Sequence, residues 1–197
     1  NGGVVVAAAD ANLGGAGGVG FDGGTLRFAG SFASARGVTL DALGGTLDTN
    51  GNEATLSGVV GGAGRLTKTG AGTLNLTGVN LHTGGVAVNG GAVAVSTDAN
   101  LGGAAGGLAL DGGTLRTLVP LATARAIALG AGGGTVEGDL SANGVVSGGG
   151  SLTVSGGRVT LTGTNTFTGG LVLDSGIAVA ASDVNLGAAT GTLTLDN

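Results

Sequence analysis

Residues 70–95 read GAGTLNLTGVNLHTGGVAVNGGAVAV. TLNL, VAV and AVAV each alternate apolar with small or polar residues, the period of a strand with one buried face. Between them stand bends rich in Gly and Asn. The same plan returns in VTLDALGGTL (38–47), VAVNGGAVAV (86–95), LALDGGTLRT (108–117) and LVLDSGIAV (171–179). Asn-Gly-Gly between alternating strands is also a hairpin signal, so an antiparallel meander competes with a coil. The spacing decides: units follow one another about every 16 to 22 residues, as the coils of a solenoid do. In a coil the Gly pair turns a corner with φ > 0 and does not reverse the chain. No stretch has helical periodicity, so almost the whole chain is expected as strand and turn. The expected fold is an all-β, right-handed parallel β-helix of about ten coils, a rod on the order of 50 Å long at roughly 4.8 Å per coil.

A longer repeat overlies the short one. DANLG at 10–14 returns at 98–102, 88 residues on, and as DVNLG at 183–187, a further 85. DGGTLR at 22–27 returns at 111–116, and ASAR at 33–36 as ATAR at 122–125, both 89 residues on. LTGVNLHTGG at 76–85 matches LTGTNTFTGG at 161–170 at an offset of 85. The chain is therefore expected to be a single β-helix of tandem copies of about 85 to 89 residues, near 1–69, 70–155 and 156–197. The outer two are incomplete: Asn1-Gly2-Gly3 corresponds to Asn89-Gly90-Gly91, and Asp196-Asn197 opens a further copy.

Composition supports a thin, long core. Of 197 residues 48 are Gly and one is Pro, without the triplet period of collagen. Mean hydropathy is +0.48 and only 10% of residues are charged, which excludes a disordered linker. The apolar residues are mostly Val, Leu and Ala, with Phe21, Phe28, Phe32 and Phe167 as the aromatics. Six Arg and Lys68 are scattered along a chain of net charge -5, so there is no basic patch for phosphates and no aromatic platform for bases. Nucleic acid is not an expected partner. Cys is absent, which excludes a disulfide framework and suits equally the cytosol and a protein that crosses an outer membrane unfolded.

The segment 70–95 resembles the autotransporter-associated β-strand repeat, also called the passenger-associated transport repeat. The resemblance rests on Gly72, Thr73, Leu74, Leu76, Thr77, Gly78, Asn80, Gly84, Gly85, Val88, Gly91, Val93 and Val95. A second copy carries Val159, Leu161, Thr162, Gly163, Asn165, Phe167, Gly169, Gly170, Leu173, Gly176 and Val179. Two departures stand out: the family's aromatic after the Asn is His82 in one copy and Phe167 in the other, and Arg158 replaces Thr73. The resemblance implies a stalk of a Gram-negative surface or secreted passenger that assists its own outward folding. It implies as partner the C-terminal outer-membrane barrel of the full-length protein, and no cofactor.

Candidate chemistry is sparse. Parallel β-helices that cleave polysaccharides place unique carboxylates on one face. Here Asp10, Asp98 and Asp183 are equivalent, as are Asp22, Asp111 and Asp196, and Asp174 matches Asn89. Recurrence at bends reads as turn chemistry. Asn80 and Asn165 read as local corner residues, too far apart to stack on each other. GGVGFD at 17–22 begins like a calcium nonapeptide, but its equivalent GGLALD loses a Gly and no adjacent turn repeats the motif. His82 is the single histidine, so no imidazole pair or cluster forms, and its match to Phe167 predicts a stacked or half-buried aromatic place. The many Thr lack a general base and read as exposed strand positions. No catalytic, cofactor or metal site is expected, and the chain is not expected to be an enzyme. The leading expectation is a structural display segment; the alternative is an adhesive surface that binds host glycan or protein, or another copy of itself.

Overall fold

In a computed structural model residues 2–196 are described; Asn1 and Asn197, assigned above to the partial copies, lie outside them. Every strand pairing among the described residues is parallel, so the meander is overturned and the solenoid of about ten coils stands. Parallel connections of this kind wind right-handed. Each coil visits three faces in the same order. Face one stacks Val4–Ala7, Thr25–Phe28, Gly45–Asp48, Leu66–Thr69, Val86–Val88, Leu108–Leu110, Ile127–Leu129 and Val146–Gly148. Face two stacks nine strands, from Phe32–Ser34 through Thr73–Leu76, Ala92–Val95 and Gly113–Thr117 to Leu193–Leu195. Face three begins with Val19–Phe21, Val38–Leu40 and Val60–Gly62 and ends with Leu121–Thr123, Leu140–Ala142, Arg158–Leu161 and Ile177–Ala180.

Register explains the alternation seen in the sequence. On face two the inward rank is Phe32, Ala54, Leu74, Val93, Leu115, Val136, Val154, Leu173 and Leu195, one residue per coil. The outward rank beside it runs Thr73, Ala92, Thr114, Thr135, Thr153, Val172 and Thr194. Three backbones close around one narrow axis and the core is mostly Leu and Val; three of the four Phe lie in the first coils, where Phe28 and Phe32 have ring centroids 4.8 Å apart, and Phe167 is buried far along the rod. Gly is required where the next coil passes directly over a corner. At Gly62 φ is +103° and an added Cβ would run into the Leu40 carbonyl of the preceding coil.

The face-two strands advance from Phe32 to Leu195 in eight steps of register, so one coil takes about 20 residues. The 85- to 89-residue repeat is therefore about four and one-third coils, and equivalent residues of successive copies fall on different faces. The three DxNLG segments show this directly. Each folds into a short 3-10 turn, Asp10–Leu13, Asp98–Leu101 and Asp183–Asn185, where strand and turn were expected. By chain order they occupy faces two, three and one in succession. The missing middle of face three is filled by residues 80–82 and by the second of these turns.

Candidate functional site

The recurrent polar residues converge in pairs one coil apart, inside the rod. Asn80 accepts from the Val60 N–H at 2.8 Å and donates to the Asn100 carbonyl at 2.6 Å. Asn100 in turn donates to the Gly78 carbonyl at 2.8 Å and accepts from the Ser96 and Thr97 N–H groups, which closes the start of its 3-10 turn. Asn165 and Asn185 repeat the arrangement: Asn165 accepts from Val146 N–H and donates to the Asn185 carbonyl, and Asn185 donates to Gly163. All four side chains are buried. Asn80 and Asn165 thus do not stack on each other, as expected, but each stacks on the Asn of the following DxNLG, a partnership the sequence reading missed.

Arg125 and Asp98 form the second device. The Arg125 guanidinium donates to both Asp98 carboxylate oxygens at 2.8 and 3.0 Å, and to the carbonyls of Asp98, Gly102, Gly103 and Gly106 at 2.6 to 3.0 Å. The side chain is 2% exposed, and the loop at 102–106 closes around it. Burial works against the Asp98 charge, but the Arg125 and Thr123 hydrogen bonds and the Arg125 charge outweigh it and hold its carboxyl below the usual range. Arg36 makes the same fork on Asp10, Gly14, Gly15 and Gly17 at a more open site. Asp10 is lowered through Ser34 and Arg36. Turn chemistry alone is therefore an incomplete account of these aspartates; they anchor an arginine from the next coil. The signal was in the sequence: Asp10 to Arg36 and Asp98 to Arg125 keep nearly the same separation, 26 and 27 residues.

Lys68 is the third. Its register partners on face one are Leu47 and Val88, so it points into the core, and it is fully buried. Its ammonium donates to the carbonyls of Thr69, Gly70 and Gly90 at 3.0, 2.7 and 3.0 Å. Burial lowers its pKa to about 8, against the opposing pull of Asp48. In the second copy Val154 takes the corresponding place under Gly176, as Lys68 does under Gly91.

His82 and Phe167 are both fully buried, deeper than the half-buried place expected. Each ring lies under the Gly that ends the following DxNLG, so that a Cβ at Gly102 would sit within 2.8 Å of two His82 ring atoms. Neither His82 ring nitrogen has a hydrogen-bond partner. Burial holds the imidazole below the ordinary histidine range against the opposing pull of the Val60 backbone, and the Arg125 charge pushes the same way as burial.

The remaining motif residues are placed by their strands. Thr73, Leu74 and Leu76 lie in Thr73–Leu76, with both Leu buried, and Leu161 is buried in Arg158–Leu161. Thr77 and Thr162 donate to the Leu56 and Ala142 carbonyls one coil back. Gly78, Gly84, Gly163 and Gly169 pass against the backbone of the preceding coil, and Gly72, Gly85 and Gly170 turn corners at positive φ. Val88 belongs to the core of face one. Asp22 and Asp111 accept from loop N–H groups one coil on, at Leu43 and Gly132. Among the described residues no three of His, Cys, Asp or Glu converge as metal ligands would.

Comparison with known proteins agrees with this architecture. The passenger-associated-transport-repeat family matches residues 66–95 and 154–177, the two segments holding the Asn corners and the buried ring. The chain is similar to an adhesin named BmaC autotransporter of Brucella suis biovar 1 (strain 1330), 48% identical over 99 residues. That match covers 48% of this chain and 3% of the relative's length. No solved structure matches. Two stretches of the chain thus match the passenger-associated-transport-repeat family, and about half of the chain is similar to part of an autotransporter adhesin.

Proposed function

We propose that the chain is a structural and display segment of a surface-exposed passenger. It stiffens the rod, projects whatever lies beyond it, and supports folding as the polypeptide emerges through its own outer-membrane barrel. The observation that carries this reading is the use to which the recurrent polar groups are put. Asn80, Asn100, Asp98, Arg125 and Lys68 direct their hydrogen bonds to backbone and to each other inside the rod. A catalytic or ligand-binding group needs free, convergent capacity at a surface. The outward ranks offer small residues and coil-to-coil ion pairs such as Arg116 with Glu137 at 2.9 Å, which support a wall. We further propose that the segment has no enzymatic activity.

The second reading, an adhesive surface, is favoured by the relative's name and by Val59 and Val79, exposed apolar side chains on adjoining coils. The test is to charge that corner in the full-length passenger: Val59→Lys with Val79→Glu puts opposite signs on adjoining coils. Display and adhesion per displayed molecule should both hold. Normal display with lost adhesion would favour the adhesive face.

A further inference from the structure

His82 is a polar group in a place built for an apolar ring. In the second copy Phe167 fills the equivalent position, and each ring supports the arc of backbone that follows a 3-10 turn, at Gly102 or at Gly187. Phe has nothing to protonate. His82 does, and neither ring nitrogen has a hydrogen-bond partner; the one backbone group that favours an imidazolium, at Val60, is outweighed by burial, and its carbonyl already accepts from the Leu81 and His82 N–H groups. The His82 carbonyl accepts from the Gly103 N–H at 2.9 Å, so ring and arc are fastened to one another. The charged groups that face the site are Arg125, which clamps the same arc through the Gly102 and Gly103 carbonyls, and Asp98, already held by Arg125. Arg65 lies outside, on the Gly84 carbonyl at the exposed corner. A second cation beneath the arc would therefore sit buried next to a like charge, with the Gly102, Gly103 and Gly106 carbonyls and the one nearby carboxylate already engaged by Arg125.

We propose that residues 80–82 and 98–107 form an acid-sensitive latch: protonation of His82 opens the arc at 102–106 that Arg125 clamps, while the equivalent arc over Phe167 stays shut. The opened arc exposes the imidazole to water and removes the orphaned N–H groups. The device acts locally, on one coil of one repeat, and gives the rod a yielding point in an acid medium. It differs between repeats although their backbones are alike.

Because the chain has one histidine, its Cε1 proton gives a single NMR resonance, and the wild-type protein can be titrated without substitution. The resonance should titrate below the ordinary 6.5, and amide exchange at 102–107, compared with residues 187–191, should accelerate as the pH falls. A one-proton linkage sets the scale: opening rises by up to about tenfold per pH unit below 6.5, or roughly thirtyfold at pH 5. His82→Phe, which copies Phe167, should abolish the difference at pH 5 and leave exchange at pH 7.5 unchanged. A His82 resonance titrating at 6.5 or above, or equal acceleration in wild type and His82→Phe, overturns the proposal.

Discussion

Replacing Arg125 by Met should loosen the loop at 98–107 far more than the loss of one surface ion pair would. The aliphatic stem stays, so the loss is that of the guanidinium. Its six hydrogen bonds to Asp98, Gly102, Gly103 and Gly106 vanish together. Removing one partner of a buried charge pair costs about 3 to 5 kcal/mol. The Asp98 side chain is 31% exposed and can rehydrate, which places the cost at the lower end, about 3 kcal/mol. Arg36→Met meets a more open site, with 10% and 37% exposure for the two partners, and should cost clearly less. Amide exchange reads both: opening at 98–107 in Arg125→Met should be roughly a hundredfold faster, with a smaller change at 10–17 in Arg36→Met. Exchange in Arg125→Met within threefold of wild type, or an equal effect at both sites, would refute the argument that burial and hydrogen-bond count set the strength of the clamp.

Lys68 makes a clean pH test, because the chain has one Lys and no Cys or Tyr. A folded pKa of about 8 against an ordinary 10.5 means that the unfolded chain binds more protons between those values. Stability to urea should therefore rise from pH 8 to 10.5, by up to about 3 kcal/mol, and the rise should vanish in Lys68→Met; a flat wild-type profile would contradict it. Leu115→Ala, in the middle of the inward rank of face two and fully buried, should cost about 2 to 5 kcal/mol, read as a lowered urea midpoint by far-ultraviolet circular dichroism. Gly62→Ala should destabilise by more than 1 kcal/mol in the same assay, because positive φ and the Leu40 carbonyl both oppose a Cβ. Phe167→His should bring an acid-dependent rise in exchange to residues 187–191, where wild type has none.

Much of the rod was legible because it follows from strand periodicity. Alternation in TLNL, VAV and AVAV named the inward residues, and the regular return of Gly-Gly bends separated coils from hairpins. What stayed hidden was contact between motifs. Equivalence at 85 to 89 residues says which residues play the same part, but Asn80 touches Asn100, 20 residues on, and Arg125 reaches back 27 to Asp98. Those distances are one coil and a corner, and they appear in the sequence only as constant offsets between unlike motifs: Asn80 to Asn100 and Asn165 to Asn185 are both 20. The Lys68 position was opaque for a different reason. Alternation from Leu66 puts Lys68 on the inward face, a costly place for a charge, and only the cage of three carbonyls, which the sequence pattern does not reveal, makes it tolerable. His82 was placed by its match to Phe167, yet its full burial depends on the arc above it, which no local pattern announces.

On the proposed function these repeats build and export a rod and are not themselves the binding surface. Removing residues 70–155 from the full-length passenger separates the two roles. The new junction joins Thr69 to Gly156, which then leads into Arg158–Leu161, the equivalent of Thr73–Leu76, so the coil can close with downstream strands shifted by one face. Surface amount and adhesion per displayed molecule are then measured together. A fall in surface amount with adhesion per molecule unchanged is the predicted result; normal display with a loss of adhesion per molecule would contradict it.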